Sequence, residues 1–121
     1  MGVGAMNRVE ALKRLRECLA GRGRIILGAH FRAELKAENL AIVDAWRVLG
    51  HGHIYTPPEF DVAYGDWKYR VEGPTTDGVA LAIVFCFKEI DRVFVITCFS
   101  ISKRRQVAVR LGGNDGNRRV R

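Results

Sequence analysis

Two short stretches of this chain hold side chains at spacings suited to phosphodiester cleavage. His30-Phe-Arg32-Ala-Glu34 carries an imidazole, a guanidinium and a carboxylate within one helical turn, and Lys68-Tyr69-Arg70 carries two cations flanking a phenol. Metal-free RNA cleavage through the 2′-hydroxyl needs a base for that hydroxyl, an acid for the leaving 5′-oxygen and positive donors on the phosphate. Histidine changes charge near neutrality, so His30 can act as acid or base. Glu34 can orient it or act as the base itself. The predicted catalytic set is His30, Glu34 and Arg70, and the predicted RNA contacts are Arg32, Lys68 and Tyr69, whose ring can stack a base. Strand alternation attaches a condition: Tyr69 faces opposite to Lys68 and Arg70, so it joins the core if they face a cleft.

Plainer readings of these residues stay open. A histidine at a helix start can bond the first-turn backbone. Lys68, Arg70 and Glu72 can form a solvated strand face with cross-strand pairs. His51 and His53 flank Gly52 after a helix end, where cations are favoured. As a metal pair they lack two further ligands at suitable spacing, so neither metal nor cofactor is expected.

Several elements must position these groups. Val9, Leu12, Leu15 and Leu19 recur at helical spacing between Asn7 and Ala20, with Asn7 as cap and Gly21 and Gly23 as stops. Arg24–Leu27 reads as a short strand, followed by a helix on which Phe31 and Leu35 share one face. Asn39 is the expected cap of the next helix, with Ile42, Val43, Trp46 and Leu49 as its buried stripe. Tyr55 to Asp66 holds two adjacent prolines and three acids and reads as a surface loop. Trp67–Gly73 alternates as a strand with one wet face. Thr76-Asp77-Gly78 is turn chemistry, and Val79–Phe87 and Val93–Phe99, apolar on both faces, should be adjacent central strands.

The chain has 121 residues, 48% hydrophobic and 27% charged, which suits one soluble domain. No apolar run is long enough to span a bilayer, and Met1–Met6 reads as a flexible lead without signal-peptide character, so a cytoplasmic location is expected. The net charge of +7 is unevenly placed: residues 103–121 carry +6 and residues 1–102 only +1. The expectation is a nearly neutral folded body, 1–102, and a basic, disordered tail, 103–121, that adds salt-sensitive phosphate attraction. Cys18, Cys86 and Cys98 are odd in number and widely spaced, as buried reduced thiols are.

His30-Phe-Arg-Ala-Glu-Leu35, Gly52-His-Ile54, Pro58-Glu-Phe-Asp61, Trp67-Lys-Tyr-Arg-Val-Glu-Gly73, the Asp77-Gly78 turn and Val95-Ile-Thr97 occur in this order. Together they resemble the small bacterial domain-of-unknown-function 4258 family over residues 24–100. That family is similar to the RelE-like and BrnT-like toxins of type II toxin–antitoxin pairs. The resemblance implies an α+β fold with N-terminal helices packed on a small antiparallel sheet, in the order α-β-α-α-β-β-β. It also implies a metal-independent endoribonuclease acting on free or ribosome-bound mRNA and held inactive by a cognate antitoxin protein. RelE-like toxins share a fold more than a catalytic motif; His30 and the Tyr69-Arg70 pair are the candidates that match the family pattern. The alternative is a non-catalytic protein-binding module of the same fold.

Overall fold

The computed structural model describes residues 3–101. Its elements are α1 (Arg8–Glu17), a π-helical turn (Cys18–Arg22), β1 (Arg24–Leu27), α2 (Ala29–Ala37), α3 (Ile42–His51), β2 (Glu59–Asp61), β3 (Asp66–Pro74), β4 (Ala80–Glu89) and β5 (Arg92–Ile101). Among these residues the architecture is α+β, with the strands in one five-stranded sheet of order β1-β5-β4-β3-β2. β4 lies at its centre, antiparallel to both β3 and β5, as the two doubly apolar patterns predict. The expected basic tail lies outside the described residues.

Two features correct the expected order. The sheet is mixed rather than antiparallel, because β1 runs parallel to β5 from Arg24↔Arg92 to Leu27↔Val95. A short apolar strand such as Arg24–Leu27 carries no mark of the direction in which it will pair. Second, the Pro-rich loop contains β2, whose Glu59, Phe60 and Asp61 pair with Lys68, Trp67 and Asp66. Pro57 and Pro58 precede that strand, so their missing N–H groups remove nothing from its ladder.

All three helices contribute to a core on one face of the sheet. Phe31, Leu35, Ala45, Val48 and Leu49 pack with Tyr69, Val71, Leu81, Ile83, Phe85 and Val95. The Met6 N–H donates to the Tyr69 hydroxyl at 2.8 Å and Val3 packs against the core, so residues 3–6 of the expected flexible lead are anchored there. Asn7 caps α1 as predicted, its side-chain oxygen accepting from the Glu10 N–H at 2.8 Å. Of the expected α1 stripe, Leu15 is buried and Leu12 and Leu19 pack half-buried against the core, whereas Val9 is 79% exposed and Ala11 is buried.

Asn39 does not cap α3. It sits in the left-handed region at φ 64° just past the end of α2, a conformation asparagine tolerates better than most residues. The cap position of α3 falls on Ala41, whose N–H donates to the Asp44 carboxylate at 3.0 Å. The α3 stripe shifts accordingly: Asp44, Ala45, Val48 and Leu49 are buried, while Val43 and Trp46 face outward. All three cysteines are free and buried.

Candidate functional site

The helices cover one face of the sheet and leave the other for chemistry. On β3 the alternation sends Tyr69 and Val71 into the core and presents Lys68 and Arg70 on the opposite side. β4 adds Val84 and Cys86 to that side, and β5 adds Phe94 and Phe99. The register shift between Val84 and Phe85 marks a bulge at which both Ile96 and Thr97 reach the same surface. The result is a groove of about 820 Å³ with an apolar floor. Thr56 to Glu59, Asp61 and Tyr64 form one wall, and Gly28 and His30 border the groove as well.

Gly28 delivers His30 to that border. Its N–H donates to the Val95 carbonyl at 3.0 Å as the chain passes over β5 into α2. A Cβ at this position would lie 2.7 Å from the Phe94 ring and 2.8 Å from the Val95 oxygen, so only glycine permits the approach. His30, the second residue of α2, is largely exposed, and its Nε2 lies 4.0 Å from Glu34 Oε2. Among the described residues the His30 ring makes no hydrogen bond to the first-turn backbone, and Glu34 is its one side-chain partner.

The other predicted residues divide. Lys68 and Arg70 line the groove with His30; Arg32 and Glu34 do not. Arg32 Nε instead donates to the Leu27 carbonyl at 3.2 Å. Glu34 stands behind His30, in reach of its ring but outside the groove. The Tyr69 ring is 2% exposed on the core side, against Phe85 and Phe87, and burial pushes its hydroxyl pKa up. It has no exposed face on which to stack a base, which is the outcome the alternation makes conditional on Lys68 and Arg70 facing a cleft.

Every cation on the floor has a carboxylate beside it. Lys68 Nζ lies 3.6 Å from Asp61, Arg70 Nε 2.9 Å from Glu72, and Lys88 Nζ 2.7 Å from Asp66. The hydrogen bond to Asp66 raises the Lys88 pKa and keeps the ammonium charged. Arg70 also sits 6.0 Å above the Phe99 ring centroid, within cation–π range. Among the lining residues, Glu59, Asp61 and Asp66 balance Lys68, Arg70 and Lys88. An incoming phosphate must therefore displace a carboxylate or take the donors it leaves over, and a guanidinium has five. Among the described residues, no three His, Cys, Asp or Glu side chains are grouped to hold a metal ion.

Sequence reasoning missed Tyr64, Lys88, Phe94 and Phe99. Tyr64 is the most informative, since it is 80% exposed at the groove, whereas Tyr69 is buried in the core. The Asp61 carboxylate accepts from the Ala63 and Tyr64 N–H groups at 3.0 and 3.3 Å, and Gly65 at φ 71° closes the turn. An Asp followed by Gly four residues later marks such a turn, and a tyrosine inside it signals an exposed aromatic. No protein-family model, curated protein or solved structure matches this chain.

Proposed function

We propose that the open face of the sheet is the working surface of a toxin-like, metal-independent endoribonuclease acting on mRNA, paired with an antitoxin that covers the same groove at rest. The observation that carries this reading is that His30, Lys68 and Arg70, brought from a helix start and an inner strand, line one groove. In that groove the His30 imidazole takes the proton of the attacking 2′-hydroxyl. The P–O2′ bond forms as the P–O5′ bond breaks, and solvent or the Lys68 ammonium protonates the leaving 5′-oxygen. Lys68 and Arg70 meet the charge developing on the phosphate, Glu34 positions His30, and Tyr64 offers a ring to an unstacked base.

The test is growth arrest with mRNA loss on inducing the protein alone, followed by cleavage assays with purified protein. His30→Ala and Arg70→Ala each lower the cleavage rate by about 10²–10⁴-fold while folding is kept. EDTA leaves cleavage unchanged. A soluble wild-type protein that cuts neither free nor ribosome-bound mRNA sinks the reading.

One observation favours a second reading, that of a non-catalytic binding module. The groove combines a floor of Val84, Cys86, Phe94, Ile96 and Phe99 with equal numbers of acidic and basic side chains, which suits an extended protein segment better than a polyanion. Loss of partner capture in a Phe99→Ser variant, with no cleavage by the wild type, selects this reading.

A further inference from the structure

Where β4 turns into β5, a second cavity of about 580 Å³ is lined by Gly21, Arg22, Gly23, Arg24, Glu89, Asp91 and Arg92. Its cations are crowded. Arg24 and Arg92 are direct register partners in the parallel pair, so their side chains leave one face of the sheet from backbones about 4.8 Å apart. Like charges placed opposite one another weaken strand pairing. The local acids relieve this only in part. Arg92 reaches Glu89 at 3.3 Å, but its buried Nε has no hydrogen-bond partner. Among the described residues, Arg22 and Arg24 make no side-chain hydrogen bond or ion pair.

We infer that Arg22, Arg24 and Arg92 form a phosphate-binding site at this end of the sheet. Guanidinium groups present paired N–H donors that match two phosphate oxygens, and one phosphate between Arg24 and Arg92 replaces their repulsion with shared attraction. The backbone is suited to hold it open. Gly21 turns at φ 100°, and the Arg24 N–H bonded to the Asp91 carbonyl at 2.8 Å fixes β1 against the β4–β5 turn. Glu89 and Asp91 leave the cavity a single net positive charge, so affinity is modest and Glu89 competes with the ligand for Arg92. None of these residues lines the groove, and the site stands without the cleavage reading. Arg92 does lie two residues before Phe94 on the same strand, hence on the groove's side of the sheet, so one bound strand can reach both. The phosphate can belong to a nucleic-acid backbone or to a free phosphoanion.

The experiment compares the full-length protein with Arg24→Gln, whose residue is exposed on an edge strand, in two binding assays. A short fluorescein-labelled single-stranded RNA is titrated over a range of salt concentrations, and inorganic pyrophosphate is titrated while amide resonances are followed. In the wild type, pyrophosphate shifts the amides of Gly21, Gly23 and Arg24, and Arg24→Gln abolishes those shifts. If the ligand is a backbone phosphate, Arg24→Gln also weakens RNA binding about three- to tenfold and lowers the slope of log K against log salt by about 0.7. A lost pyrophosphate response with unchanged RNA binding assigns the site to free phosphoanions. Glu89→Gln tightens whichever ligand binds. If Arg24→Gln changes neither titration, or Glu89→Gln tightens neither ligand, the assignment is overturned. Neither assay reads cleavage, so the result is independent of the proposed enzyme.

Discussion

Asp44 ties two distant parts of the chain through one carboxylate. It accepts from the Ala41 N–H at 3.0 Å at the start of α3, and from the Thr76 hydroxyl and N–H at 2.9 and 3.3 Å in the β3–β4 turn. These bonds, that from Ala41 first, hold its pKa below the ordinary value of 3.8. A carboxyl with a lowered folded pKa binds fewer protons folded than unfolded. Its contribution to stability is therefore present above pH 4 or so and is lost as pH falls through the folded pKa. Asp44→Ala is expected to lower stability by about 1–2 kcal/mol at neutral pH, as for a lost helix cap, and to flatten the fall in melting temperature below pH 4. An equally steep acid transition in the variant refutes the assignment. The cysteines lie at the opposite extreme: burial pushes the Cys98 thiol up to about 11, so it should resist alkylation until the protein unfolds. At this scale the sequence was legible where alternation governs, as for Lys68, Tyr69 and Arg70. It was opaque for Arg32, whose contact with the Leu27 carbonyl depends on how β1 meets α2.

The elements were found more readily than their buried faces. α3 was expected to bury Ile42, Val43, Trp46 and Leu49; Leu49 is buried and Ile42 packs against the core, but Val43 and Trp46 face outward and Ala45 and Val48 turn inward in their place. α1 likewise buries Ala11 and exposes Val9. Small residues on these faces let a helix approach the sheet closely, and the spacing of large apolar residues carries no trace of that distance. The contrast is measurable. Ala45→Leu, at a position with no exposed surface, is expected to cost about 1–3 kcal/mol by overpacking. Val43→Thr, at a position 61% exposed, should change stability by less than about 0.5 kcal/mol. Urea melts of the two variants separate the assignments, and reversed magnitudes would restore the stripe read from the sequence. β2 escaped notice for a different reason: three residues between prolines and a turn are too few to show alternation, and only their pairing with β3 makes them a strand.

For the whole molecule, the parallel placement of β1 decides where chemistry can occur. With β1 beside β5 at one edge and β2 beside β3 at the other, the two segments adjoining the groove come from opposite margins of the sheet. The helices fill the remaining face, and among the described residues none is long and apolar enough to cross a membrane. Charge is distributed unevenly along the sequence: residues 3–101 are close to neutral, whereas residues 103–121 carry +6. Non-specific RNA affinity should therefore follow the second segment and discrimination the first. Replacing Arg104, Arg105, Arg118, Arg119 and Arg121 by Gln in the full chain removes five of the seven cations of that segment. The slope of log K against log salt for single-stranded RNA should then fall by up to about 3.5, at about 0.7 for each neutralised phosphate. The pyrophosphate response at Arg24 should stay in place, and the effect of His30→Ala on cleavage should keep its size. A variant with unchanged salt dependence would move the electrostatic attraction onto the sheet itself, where Lys68, Arg70 and Lys88 would have to exchange their carboxylate partners for phosphate.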